Sequence, residues 1–292
     1  MKKISVLCFL FLSFWSNGQQ NIIDKATNYI HLKEYEYAET LLKKEIKESE
    51  SLALKDKLGE VYSYQEDWDA AIEVYKELSE VEPKNADYQY KYGGVLGKKA
   101  LSSNKFTALM IIGDMKDAFI NAAELDPKHI DVRWALVDVF ISLPGMLGGS
   151  KTKAYNYAKE LKNISPIDGY FALGYVYEYD EKIKEAKQHY LDAFKLVSTY
   201  GKIDRNQLHY QIGKVSCDYG IDLDLGVSHM KKYINKFSVK DGVPLEWAYF
   251  RVAKIYRQKN DKKNATLWIS KALAVKPDFK LAEKEKALIA AL

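Results

Sequence analysis

Five histidines, two cysteines and 40 carboxylates are the groups in this chain able to ligate a metal or move a proton. The histidines are His31, His129, His189, His209 and His229, and no two stand four residues apart on a helix face. The H-E-x-x-H spacing that aims two imidazoles at one zinc ion is missing. Cys8 and Cys217 are too far apart in sequence to suggest a zinc knuckle. No G-x-S-x-G nucleophile elbow occurs. Carboxylate pairs such as Asp222 and Asp224, or Glu283 and Glu285, read as solvated helix faces. Gly145 to Thr152 approaches a phosphate-binding loop, but Ser150 stands where the second glycine is required and the preceding segment reads as helix. No nucleophile, base and orienting group converge. The expectation is therefore no catalytic centre, no metal and no cofactor. What remains is recognition chemistry, carried by an abundance of aromatics: 22 Tyr, 11 Phe and 5 Trp.

Composition narrows the partners. Of 292 residues, 47% are hydrophobic and 29% charged, which suits a folded soluble chain. Forty-four basic against 40 acidic residues give a formal charge of +4, too small an excess to predict nucleic-acid binding. Met1-Lys2-Lys3 is a basic head, Ile4 to Trp15 an apolar run, and Ser16-Asn17-Gly18 supplies small residues at the −3 and −1 positions. That layout predicts a signal peptide over 1–18 and a periplasmic or secreted protein. The run is too short for a stable span, which needs about 20 residues, so no stable membrane insertion is expected after its removal. Cys217 then remains alone, without a disulfide partner, and reads as a small packed residue.

The elements that position the aromatics follow from a repeat. Counting Leu52 as position 1, Leu58 and Gly59 fall at 7 and 8, Tyr62 at 11, Ala71 at 20, Tyr75 at 24, Leu78 at 27 and Pro83 at 32. Small residues at 8 and 20 let two antiparallel helices approach closely, bulky ones fill the space around that contact, and proline ends the second helix. Gly93 lies 34 residues beyond Gly59. Later copies carry Leu136, Phe140, Ala154, Ala158 and Pro166, then Leu173, Gly174, Tyr177, Ala186, Tyr190 and Ala193. A looser copy has Ile212 and Gly213, and another has Val252, Ala253, Tyr256, Ala265, Ile269, Ala272 and Pro277. Ala26, Tyr29, Ala38 and Leu42 form a weaker first unit. Four of the six prolines (Pro83, Pro127, Pro166 and Pro277) share one column.

This pattern resembles the tetratricopeptide repeat, a helix–turn–helix unit of 34 residues, in an exported bacterial member of that family. The resemblance implies an all-α fold: a right-handed α-solenoid of stacked helix pairs over 19–292. The expected units are 19–51, 52–85, 86–129, 130–166, 167–205, 206–245 and 246–279, with a capping helix over 279–292 whose Leu281, Leu288 and Leu292 share one face. Two insertions depart from the pattern. One, around Ala100 to Ile112, is expected to lengthen a second helix. The other, Leu143 to Ser150, combines a helix-ending proline, glycines for positive φ and a serine able to cap the next helix.

The resemblance further implies that the first helix of each pair lines a concave groove, with positions 2, 5, 9, 12 and 13 touching a bound peptide. Position 5 reads Asp56, Tyr90, Trp134, Phe171, Tyr210 and Phe250. Position 9 reads Glu60, Gly94, Asp138, Tyr175, Lys214 and Lys254, and position 12 adds Glu178, Cys217 and Arg257. The expected site is thus Tyr90, Trp134, Asp138, Phe171, Tyr175, Tyr210, Lys214, Phe250 and Lys254, an aromatic stripe with acids toward its N-terminal half and bases toward its C-terminal half. Tyrosine and tryptophan suit recognition because they offer apolar area with few rotors. The function expected is a non-enzymatic scaffold or adaptor that holds a protein or peptide segment. The alternative is a small-ligand or glycan binder that stacks its ligand on the stripe, and a packing role for the same rings stands beside both.

Overall fold

The computed structural model describes residues 18–199, 203–238 and 241–292, so all of the expected signal peptide except Gly18 lies outside the described residues. Within them every regular element is helical and no strand occurs. The chain divides into two compact units, the first running to Leu136 and the second from Val137 to Leu292.

The first unit holds α1 (18–31), α2 (Tyr35–Ser49), α3 (Leu52–Gln65), α4 (Trp68–Val81), α5 (Ala86–Ser102) and α6 (Lys105–Leu125). Then comes α7 (Ile130–Ser142), which reaches into the second unit. From α2 to α6 each helix packs on the next. Ala26, Ala38, Leu42, Leu54, Leu58, Ala71, Tyr75 and Leu78 share one buried core. Polar residues mark the starts: the side chains of Ser51, Asp67, Asn85 and Asn104 accept backbone N–H groups of α3, α4, α5 and α6. The insertion does lengthen a second helix, since α6 has 21 residues against 14 in α4.

The second unit holds α8 (Lys151–Ile164), α9 (Pro166–Tyr179), α10 (Ile183–Thr199), α11 (Asn206–Tyr219), α12 (Leu223–Asn235), α13 (Leu245–Gln258), α14 (Lys262–Val275) and α15 (Lys280–Ala290). Neighbours pack in order, and α11 also touches α13 while α13 touches α15. Contact between alternate helices is what a stack of hairpins requires: first helices form one row and second helices another. The glycine column sets the spacing. A Cβ at Gly59 would sit 2.7 Å from the Tyr75 ring, and one at Gly174 2.3 Å from the Tyr190 ring. At Gly59 and Gly174 position 8 is bare because a tyrosine ring of the second helix occupies the space a side chain would take.

Before α8, Pro144 leads into a single 3-10 turn, Gly145–Leu147, which Gly148 closes at φ 87°. The Ser150 hydroxyl accepts the Lys153 N–H at the start of α8. Ser150→Ala should cost about 1 kcal/mol, read as a lower urea midpoint with an unchanged slope.

The last helix corrects one expectation. Ala282, Glu285 and Ile289 are the buried face of α15, with Phe279 just before it, while Leu281, Leu288 and Leu292 are exposed. Arg257 on α13 pairs with Glu285, and Phe279 stacks on Phe250 at 5.4 Å; together they fix a rotation that turns the leucines outward.

Candidate functional site

Position 5 of the first helices is mostly interior. Phe171 is 1% exposed, Tyr210 5% and Phe250 9%. Phe171 lies between Tyr190 and Phe194 of α10, Tyr210 against Tyr233 of α12, and Phe250 against Phe279. These three rings pack between helices and offer no contact area to a ligand. In the first unit Tyr90 and Trp134 are half-buried, with Tyr90 against Phe119 and His129. Cys217, at position 12, is buried, and burial pushes its thiol up to about 11, so it is protonated at neutral pH.

Position 9 behaves differently. In the second unit exposed Asp138 of α7 accepts the Tyr175 hydroxyl of α9 at 2.7 Å. Lys214 of α11 lies over the Tyr175 ring, 5.8 Å from its centre. Asp218, one turn on from Lys214, accepts two hydrogen bonds of 2.8 Å from Arg251 of α13 and sits 3.5 Å from Lys254. Arg257 continues the row to Glu285 of α15. Each link joins one first helix to the next, through partly exposed Tyr175, Lys214 and Lys254 and through buried Arg251 and Glu285.

Burial and the Asp138 carboxylate both raise the Tyr175 pKa, which keeps its hydroxyl a donor. Burial opposes the charge on Arg251, but Tyr210 and Asp218 outweigh it and leave the guanidinium firmly protonated. Glu178 accepts the Tyr190 hydroxyl at 2.7 Å and also binds Tyr219, so its carboxylate is engaged from below. Lys214, Arg251 and Lys254 share the single carboxylate of Asp218. The row is thus acidic at α7 and α9 and carries surplus positive charge at α11 and α13. In the first unit the acids of the corresponding columns are matched, with Asp56 2.6 Å from Lys91 and Glu60 2.8 Å from Lys57.

Sequence reading missed Tyr179, Asp218 and Arg251. Tyr179 and Asp218 occupy position 13, a column the resemblance already marks as inner, so the same count finds them. Arg251 and Lys91 stand at position 6, and each reaches back one repeat to a carboxylate, Asp218 or Asp56. No column rule signals that.

Comparison with known proteins agrees with this geometry. The tetratricopeptide repeat family model matches at residues 167–196 and 248–279, that is, α9 with most of α10 and α13 with α14. These two stretches are tetratricopeptide repeats. Its fold is similar to that of a tetratricopeptide repeat protein from Parabacteroides merdae ATCC 43184, at 13% identity and a TM-score of 0.52, over 93% of this chain and 98% of that one. It is also similar to a chain of the APC/C hetero-tetramer Cut9-Hcn1, at 14% identity and a TM-score of 0.52, over 86% of this chain and 45% of that one. No curated protein matches the sequence. Tetratricopeptide-repeat proteins are in general protein–protein interaction scaffolds, and they are in general not enzymes.

Proposed function

We propose that this protein is a non-enzymatic scaffold outside the cytoplasm and that it holds a partner segment along the first-helix row of its second unit. The observation that carries this reading is the row itself: Asp138, Tyr175, Lys214, Asp218 and Lys254 stand on successive first helices with partly exposed polar ends. Tyr179, 48% exposed and edge-on to Tyr175 at 5.2 Å, gives the row an apolar anchor. Location outside the cytoplasm is supported by the basic head, apolar run and small residues of 1–18. Glycan stacking loses support, because three of the rings it needs are packed inside.

Crosslinking in intact cells identifies the partner. Tyr179→Ala combined with Lys254→Glu should then weaken capture at least about tenfold, the scale of one lost anchor and one reversed charge. Its melting midpoint should stay within about 2 °C of the parent, as for surface changes. Capture at parental strength would reject this surface.

A further inference from the structure

The lengthened hairpin of the first unit ends in apolar side chains that nothing in the unit covers. Leu101, at the close of α5, is 85% exposed. On the first turns of α6, Phe106 is 82%, Leu109 49% and Met110 81% exposed. Phe106, Leu109 and Met110 stand at i, i+3 and i+4, on one helix face. Four large apolar groups around one turn are far more than scattered surface hydrophobes.

Along the segment that forms this tip the charge has one sign, although Lys91 and Lys99 are paired with acids of α3 and α4. From Tyr88 to Gly113 the sequence has four lysines, Lys91, Lys98, Lys99 and Lys105, and no carboxylate. Lys105 is exposed directly beside Phe106, and Lys99, one turn below the tip, reaches Asp69 of α4 at 2.6 Å. The acids of α6 begin only at Asp114, eight residues and about 12 Å of helix beyond Phe106. Phe106 to Met110 spans about 6 Å along the axis, the depth to which interfacial helices bury their apolar face. No helix among the described residues is long and apolar enough to cross a membrane.

We propose that the α5–α6 tip docks shallowly on an anionic lipid surface. Phe106, Leu109, Met110 and Leu101 enter the boundary between headgroups and acyl chains. Lys105 lies at headgroup level, and Asp114 and Asp117 stay in water. Apolar contact and lysine attraction are the two signals that reversible surface binding needs, and either alone is weak.

The test places a nitroxide at residue 110 of the full chain through Met110→Cys, with Cys8→Ser so that only buried Cys217 remains as a second thiol. Vesicles are phosphatidylcholine with phosphatidylglycerol, or phosphatidylcholine alone. With anionic vesicles the label should gain access to dissolved oxygen and lose access to a polar nickel chelate. A label at Val81→Cys, an exposed site on α4, should stay in water whatever 1–18 does. Lys105→Gln should weaken immersion about fivefold in lipid concentration, the worth of one lysine near an anionic surface. A label at 110 that remains in water with anionic vesicles overturns the proposal, as does equal immersion in neutral ones. Spin–spin broadening without lipid also overturns it, because the tip would then be seated on a second copy of this chain.

Discussion

Gly169→Ala should lower the melting midpoint by about 6–12 °C, corresponding to about 3 kcal/mol at the upper end of overpacking costs. Gly169 lies in the first turns of α9, where α8 turns back on itself. A Cβ there would sit 2.0 Å from the Lys162 Cα and 2.3 Å from its backbone nitrogen. Backbone cannot rotate aside as a side chain can, so α8 and α9 would have to separate. Asp168, the residue before it, is 1% exposed, is held by Arg205 ahead of α11 at 2.5 Å, and accepts the Ser165 hydroxyl at the α8–α9 junction at 2.6 Å, so α9 is anchored where the clash would fall. Gly113→Ala is the control: a Cβ there meets nothing within 4 Å, and the helix should gain a few tenths of a kcal/mol to about 1 kcal/mol. Thermal melts followed by circular dichroism compare the two. Equal midpoints would show that the α8–α9 approach is looser than described.

Acid should unfold the second unit well before its carboxylates protonate. His209 and His229 are both buried, with their Nδ1 atoms 3.0 Å apart. One Nδ1 donates and the other accepts, so the accepting ring must be neutral and the two rings cannot both carry a proton at Nδ1. Burial lowers both pKa values to about 4, helped by Lys232 beside each ring, by Lys236 beside His209, and by His209 itself against His229. In the unfolded chain the same imidazoles take protons below about 6.5. Between those values the unfolded state holds more protons, so stability is complete above pH 6.5 and drains as pH falls toward 4. At about 1.4 kcal/mol for each pH unit and each ring, the pair represents a loss of at most about 7 kcal/mol across this window. Urea midpoints measured across this range should fall steeply. His209→Phe with His229→Leu should flatten the fall, and a slope unchanged by that variant would place the acid sensitivity elsewhere.

The hairpin architecture was readable because spacing alone specifies it. Leu58, Gly59, Ala71 and Tyr75 recur at fixed intervals, and Ala71 and Tyr75 do end up in one core with Leu58. Depth was not readable. The count placed Phe171, Tyr210 and Phe250 on the inner helix, but it cannot say whether a ring from the next helix covers them. Phe194 and Tyr190 cover Phe171, and Phe279 covers Phe250, the latter from the very end of the repeat, where the chain enters α15. The meeting of His209 and His229 was invisible for a similar reason. Twenty residues separate them, and only the closure of α11 on α12 brings them together. The count put Asp138, Tyr175 and Lys214 in one column, but that they touch one another across successive first helices emerged only from the packing.

Glu178 shapes what the row refuses. Tyr190 and Tyr219 both donate to its carboxylate, so two of its acceptor sites are already used by phenols wedged against other rings. Under the proposed reading, a cationic stretch of chain would meet a carboxylate already shared with two phenols, next to Lys214, Arg251 and Lys254 around the one carboxylate of Asp218. If the row holds a partner as proposed, selection there would act by exclusion as much as by attraction, sorting segments by charge before any close fit is made.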